Sequence, residues 1–535
     1  MKSKRGTNTI PADGAAGPAP RRRSAFERLR HRAAIASLKA VAGGLGRLAA
    51  IGPVRHTVAA RIEKIMRRRL QVAIQTWALP PKVADDMLSL GLAATQTFDK
   101  ILDQSTVRRS ILRKSLGILL HGVVNGGEGH APQSRFAAQY GCEPPGLLVL
   151  SPTNACNLRC KGCYADSGVA SKNLAWPVFD RVVSEASEMW GSHFMVLTGG
   201  EPLAYRSEGK GVLDLAAGHK DMIFMMYTNG TLIDDRVAAR IARLGNLTPA
   251  ISVEGLKERT DWRRGAGTFD RVCEAMKRLK RERALFGISL TATCENADEI
   301  LSDRAMDFYF GEMGVSYAWI FHYMPIGRAP SLKLLPTPEQ RLMLWKRSWE
   351  LVKNRGVFVA DFWNGGTISK GCISAGRPGG YLALNSEGMV SPCVFLPYSP
   401  VNINQVYASG GTLNDAWAHP FFGRIREWQV NYGYDKNGPD HLWKGNWMMP
   451  CPIRDHHAEF RLWLDEFHPD PLDENARAAM SDPDYRKGMI AYNRAVAALL
   501  DPVWASEYLQ LAPGGQPAVS AERRGRQESK TELRA

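Results

Sequence analysis

Cys156, Cys160 and Cys163 lie in NACNLRCKGCY, three thiols within eight residues of a chain that has nine cysteines in all. Thiolates are soft ligands, and this spacing suits a metal or cluster held under reducing conditions better than a disulfide framework. A structural zinc site wants four ligands, commonly as two C-x2-C pairs, and here there is one such pair. Three thiolates on a four-iron cluster instead leave one iron without a protein ligand, an open position for chemistry.

Further polar groups recur at the ends of short apolar runs. LTGGEPL (197–203) offers Gly199 and Gly200, which permit close backbone approach, and Glu201, whose carboxylate can receive an ammonium. Read alone, Gly-Gly-Glu-Pro is an ordinary turn. Asn229 follows in YTNGT, and ISVEG carries Ser252 and Glu254, two apart and so on one face of an extended strand.

These groups need elements to position them. Six apolar runs read as strands: LLVLSP (147–152), FMVLT (194–198), MIFMMYT (222–228), PAISV (249–253), GISLTAT (287–293) and YAWIFHY (317–323). Amphipathic helical stretches such as VFDRVVSEASEMW and DDRVAARIARLG separate them. Alternating strands and helices predict an α/β fold around a parallel sheet, with functional loops at the carboxyl ends of the strands.

With the motifs in that order, CNLRCKGCY resembles the cluster motif of the radical S-adenosylmethionine (radical SAM) superfamily, and GGEP its GGE motif. The resemblance covers about residues 147 to 328. It implies a partial (β/α)6 barrel, a [4Fe-4S] cluster on Cys156, Cys160 and Cys163, and S-adenosylmethionine on the open iron. Gly199, Gly200 and Glu201 would then hold the methionyl end, and Ser252, Glu254 and Asn229 the ribose. Relatives often carry Asp where this chain has Glu254. RRGAGTFDRV resembles the segment that follows this strand in the family, which makes Arg264 a candidate carboxylate contact. An aromatic residue often precedes the last cluster cysteine; Gly162 stands there, which shifts adenine stacking to Tyr164. No residue stands out as a catalytic acid or base.

A second set of cysteines lies further on. Cys372, Gly388 and Cys393 in GCISAGRPGGYLALNSEGMVSPC resemble the start of the SPASM or twitch auxiliary-cluster extension, and YLALNSEGMVSPC reads as a hairpin turning around Asn385 to Gly388. The dense later cysteines of a full SPASM domain are missing, and only Cys451 remains, in NWMMPCPIRDHH. The resemblance therefore implies a second iron–sulfur cluster on Cys372, Cys393 and Cys451, its fourth iron open or held by Asp455, His456 or His457. Three buried structural thiols are the other reading. Cys142, Cys273 and Cys294 read as plain thiols.

The formal charge of +16 is concentrated at one end: residues 1–70 hold 17 Lys or Arg against 3 acids, so the body is nearly neutral. Charged residues at 23% and hydrophobic ones at 44% exclude wholesale disorder. Lys39 and Arg47 interrupt the most apolar N-terminal stretch, which excludes a transmembrane span and a signal-peptide core there. The chain reads as cytoplasmic. Its basic amphipathic start suits either a solvated arm or peripheral contact with an anionic surface, membrane or nucleic acid.

The expected organisation is a disordered basic arm (1–25), a helical N-terminal region (26–145), the radical SAM core (146–330), a helical linker (331–362), a SPASM/twitch-like α+β extension (363–467), C-terminal helices (468–512) and a disordered tail (513–535). Nine of the 14 tryptophans follow residue 340, enough to predict a separate core for the extension. The resemblance further implies an external one-electron donor of flavodoxin or ferredoxin type and hydrogen abstraction by a 5′-deoxyadenosyl radical. The substrate classes it leaves open are a peptide or protein, a small molecule, a membrane lipid or polyprenyl compound, and RNA. An iron–sulfur electron carrier or assembly protein without turnover is the rival of another class.

Overall fold

A computed structural model describes residues 52–77, 79–125, 132–169, 172–433 and 445–510. The basic arm, the helical region up to residue 51 and the tail from 513 lie outside the described residues.

All six expected strands form: β1 (Leu147–Leu150), β2 (Phe194–Leu197), β3 (Ile223–Thr228), β4 (Leu247–Val253), β5 (Gly287–Ala292) and β6 (Ala318–His322). They lie side by side in chain order, each parallel to its neighbour. Helices such as Trp176–Trp190, Asp235–Leu244 and Thr268–Arg281 supply the crossovers that parallel pairing requires. The result is the partial barrel core, with every strand's carboxyl end on one rim.

Alternation along the strands sorts the side chains. Leu148 and Leu150, Met195 and Leu197, and Phe224 and Met226 pack into the main core. Val149, Val196 and Met225 point the other way and form a smaller cluster with Tyr381 and Ala383. Both faces are apolar because helices cover one and the second encloses a cavity.

The linker differs from expectation. Its helix, Pro338–Arg355, starts on a capping box in which Thr337 Oγ1 accepts from the Gln340 amide at 3.2 Å, and ends at Gly356 with φ +59°. Then a strand, β7 (Val359–Asp361), adds in parallel to β6. Three residues are too few to show a periodicity.

The extension differs more. The predicted hairpin forms, with β8 (Tyr381–Leu384) antiparallel to β9 (Met389–Ser391), but β8 also pairs in parallel with β1, Leu147 opposite Tyr381 and Leu150 opposite Leu384. With the two-residue strand Val401–Asn402 beyond β9, a single ten-stranded sheet runs through core and extension. Among the described residues the separate core is not found: Trp363, Trp417, Trp428 and Trp463 join the same apolar cluster as β1 to β6. An open β1 edge would leave its backbone donors and acceptors unpaired, and β8 satisfies them.

Helices Gly52–Trp77 and Pro81–Asp103 share a second apolar cluster with the C-terminal helix Pro483–Val503 through Leu79, Val83, Trp345, Trp447, Leu500 and Trp504. Among the described residues no helix is long and apolar enough to cross a membrane.

Candidate active site

The strand ends surround a cavity of about 270 Å³. Cys156, Cys160, Cys163 and Tyr164 from the loop after β1 border it, with Gly199 and Gly200 after β2, Asn229 after β3, and Ser252 on β4. The inner side chains Val149, Val196 and Met225 form its apolar floor.

The loop that carries the cysteines is tied down by backbone bonds to its neighbour. Gly200 N donates to Thr153 O at 2.8 Å and Glu201 N to Ala155 O at 2.7 Å. This approach needs glycine: a Cβ on Gly200 would lie 2.1 Å from Ala155 O, and one on Gly199, at φ +115°, 2.5 Å from Thr153 O. Gly200→Ala is therefore expected to cost about 1–3 kcal/mol of stability by urea unfolding, and to lower iron retention, because the backbone of the cysteine loop must shift.

Glu201 does not border the cavity. It is fully buried, and its carboxylate accepts from Thr228 Oγ1 at 2.7 Å, Asn229 N at 2.8 Å and Leu203 N at 3.1 Å. Burial pushes its pKa up, and these three donors partly offset that. It thus joins the end of β2 to the end of β3. The Asn229 amide is likewise occupied, donating to Asn157 Oδ1 at 2.9 Å and to Cys156 Sγ at 3.7 Å.

Glu254 is placed away from the cavity as well. Arg263 Nη1 and Arg264 Nε donate to its Oε1 at 2.6 and 2.8 Å, and Thr291 N to its Oε2 at 3.2 Å. Ser252 therefore stands on the cavity wall without the expected carboxylate partner, its Oγ 3.1 Å from Ser289 Oγ. Both arginines do border the cavity. Burial alone would lower the pKa of Arg264; Glu254 and the nearby Cys160 and Cys163 outweigh it and raise it.

Gly162 has a tertiary explanation. At φ +61° it faces the ring of Tyr323, and a Cβ would approach Tyr323 Cε2 to 2.5 Å. The aromatic ring that the loop lacks comes from the residue after β6, and it lines the same cavity. Tyr164 lies there too, its hydroxyl 2.7 Å from Thr198 Oγ1 and its ring 5.3 Å from that of Phe395; burial pushes its pKa up to about 12.

A second cavity of about 220 Å³ is bordered by Cys372, Cys393 and Cys451, which come from three separate segments. Trp319, Phe362, Ile373, Tyr381 and Phe395 line both cavities, so one apolar wall divides them. Tyr381 Oη is 2.9 Å from Cys393 Sγ. Burial raises the Cys156 thiol to about 11 and that of Cys451 to about 12, so a thiophilic metal must displace a proton from each of these two.

The three candidates for a fourth ligand are not brought there. Asp455 is buried and bound by Arg341 Nη1 at 2.5 Å and Arg454 Nε at 3.1 Å, His456 Nε2 lies 2.8 Å from Met449 O, and His457 Nδ1 2.8 Å from Ile453 O. Helix Pro452–Asp455 begins immediately after Cys451 and turns these side chains elsewhere. Sequence reasoning also passed over Arg263 and Tyr323. The second directly follows the sixth strand, the position rule that found Gly199 and Asn229.

Among the described residues no three His, Cys, Asp or Glu side chains gather closely enough for a single metal ion. Each cavity instead has three thiols spread around its border, a donor set that fits an iron–sulfur cluster, whose irons and sulfides hold its ligands apart.

The sequence model of the Radical SAM superfamily matches residues 150–299. Mycofactocin maturase MftC of Mycolicibacterium smegmatis is 27% identical over 316 residues, 55% of this chain and 76% of that protein. Fe-coproporphyrin III synthase of Methanosarcina barkeri is 28% identical over 166 residues, 30% of this chain and 41% of that protein. The solved structure of Streptococcus suis SuiB bound to precursor peptide SuiA aligns with a TM-score of 0.45 at 16% identity, over 55% of this chain and 70% of that one. Residues 150–299 thus form a radical SAM domain, which makes the chain an enzyme with a [4Fe-4S] cluster and S-adenosylmethionine as its cofactors.

Proposed function

We propose that this enzyme matures a peptide or protein by radical chemistry, with Cys156, Cys160 and Cys163 as ligands of the first cluster. The observation that carries the ligand assignment is the single cavity bordered by all three thiols together with Gly199, Gly200 and Ser252. When bound, the cluster and S-adenosylmethionine supply a 5′-deoxyadenosyl radical for hydrogen abstraction.

The residues of the chain do the rest. Gly199 and Gly200 present backbone to the methionyl end, Glu201 braces that turn from behind, and Arg263 and Arg264 offer guanidinium groups to its carboxylate. Ser252 faces the ribose, Asn229 is spent in holding the cysteine loop, and Tyr164 and Tyr323 give aromatic walls for the adenine. The apolar floor keeps water away from the reacting carbon. Cys372, Cys393 and Cys451 would hold a second cluster behind the shared wall. An external flavodoxin- or ferredoxin-type protein delivers the electron in the cytoplasm.

Peptide maturation is favoured because the mycofactocin maturase of Mycolicibacterium smegmatis is matched over three quarters of its own length. The test is anaerobic purification, cluster reconstitution and dithionite reduction, with 5′-deoxyadenosine followed by chromatography and neighbouring-gene peptides followed by mass. 5′-Deoxyadenosine with a mass change in one peptide is expected. Cluster binding without 5′-deoxyadenosine favours an electron carrier, and 5′-deoxyadenosine with every peptide unchanged removes the peptide assignment.

A second reading is radical modification of a membrane lipid or polyprenyl compound. Its support is helix Gly52–Trp77, which exposes Ile62, Ile65 and Val72 alongside Arg61, Lys64, Arg67, Arg68 and Arg69. Flotation of the intact chain with vesicles containing anionic phospholipid, and loss of flotation after deletion of residues 1–70, is the outcome this reading requires.

A further inference from the structure

Tyr381 opens β8, and the parallel pairing of that strand with β1 sets it opposite Leu147. Alternation then divides the side chains of β8: Leu382 and Leu384 enter the main core, whereas Tyr381 and Ala383 join Val149, Val196 and Met225 on the inner face. The Tyr381 side chain therefore stands in the wall between the two cavities and borders both. Of the five residues that do so, Trp319, Phe362, Ile373, Tyr381 and Phe395, only Tyr381 carries a hydroxyl.

That hydroxyl reaches one of the three thiols of the second cavity. Tyr381 Oη lies 2.9 Å from Cys393 Sγ, and the Phe395 amide donates to the same sulfur at 3.4 Å. While the thiol keeps its hydrogen, either the phenol or the thiol can donate. A sulfur bonded to iron has no hydrogen, so the phenol is then the donor and the sulfur the acceptor. Tyr381 is 2% exposed, and a hydrogen bond shielded from water is the stronger for it.

Reduction adds negative charge to a cluster and its sulfurs, so a donor aimed at one of them stabilises the reduced form more than the oxidised form. The Phe395 amide does this through backbone that almost any residue would supply. The phenol does it through a side chain whose place depends on the β1–β8 register.

We propose that Tyr381 raises the reduction potential of the cluster that Cys372, Cys393 and Cys451 would hold, by donating a hydrogen bond to Cys393 Sγ from the wall of the reaction cavity. It is a positioning residue that acts through Cys393. The joint between core and extension thus also holds the hydroxyl on the sulfur. This role rests on the second cluster proposed above and is independent of the substrate.

The test uses the full chain, reconstituted anaerobically and carrying Cys156→Ala so that the second cluster alone contributes. Its midpoint is followed by electron paramagnetic resonance in a redox titration, with and without Tyr381→Phe, which keeps the ring in the wall and removes only the hydroxyl. At a fixed potential the ratio of reduced to oxidised cluster should fall about tenfold in Tyr381→Phe, a downward shift of about 59 mV for one electron. An unmoved midpoint at equal iron content overturns the role. Loss of iron from Tyr381→Phe also overturns it, because the hydroxyl is then needed to retain the cluster and not to tune it. A second measurement does not depend on that variant: hyperfine spectra of the reduced Cys156→Ala chain, reconstituted in H2O and in D2O, should show an exchangeable hydrogen coupled to the cluster, and its absence overturns the hydrogen bond. A Cys156→Ala chain without iron removes the second cluster and the role of Tyr381 with it, a result distinct from a cluster whose midpoint does not move.

Discussion

Cys156→Ala is expected to halve the iron content of the reconstituted protein, from about eight to about four atoms per chain, and to bring 5′-deoxyadenosine formation to background. Cys156 is held in the loop by a bond from its amide to Gly168 O at 2.8 Å, and its sulfur receives the Leu158 amide at 3.5 Å and Asn229 Nδ2 at 3.7 Å. Two thiols remain at that cavity, too few for the cluster, whereas the cavity of Cys372, Cys393 and Cys451 lies across the aromatic wall. Cys393→Ala should lose the complementary half of the iron and keep 5′-deoxyadenosine formation. Iron analysis and electron paramagnetic resonance of the reduced variants check both. Undiminished iron in Cys156→Ala would remove the ligand assignment.

Glu254→Ala should destabilise the protein by about 3–5 kcal/mol, read from the urea midpoint, because it leaves two buried guanidinium groups without their shared carboxylate. Glu254→Asp keeps the charge on a side chain one methylene shorter and should lose less. The effect extends to the cysteine loop: Arg263 O accepts from Lys161 N at 2.8 Å, and Arg263 Nη2 donates to Gly162 O at 3.4 Å. A proportionate fall in cluster retention is expected, whereas a side chain whose only role is to hold ribose would leave stability unchanged.

Much of this was legible in the chain. The six core strands fall within two residues of their expected bounds because apolar runs of four to seven residues between helical repeats are a strong local signal. The hairpin at 381–391 was equally local, announced by Asn385 and Gly388. Cys156, Cys160 and Cys163 stand within one loop, and Gly199 and Gly200 share one turn, so neighbours in the sequence are neighbours at the cavity.

Other features depend on partners far apart in the chain. Ser252 and Glu254 obey the two-residue rule only while the strand lasts; β4 ends at Val253, and the pull of Arg263 and Arg264 decides where Glu254 goes. β8 lies more than 200 residues after β1, and nothing in YLAL names the edge it will cover. The shared wall, Tyr323 filling the space beside Gly162, and the pairing of His322 with Asp361 are all of this kind.

By itself, then, the sequence determined which thiols stand together, which strands form and which rim they serve, since spacing and periodicity act over a few residues. Only the tertiary structure decided which polar groups face the cavity and which are consumed in holding it. That choice follows from burial: a carboxylate or imidazole out of reach of water must find a partner wherever the fold supplies one, at any distance along the chain.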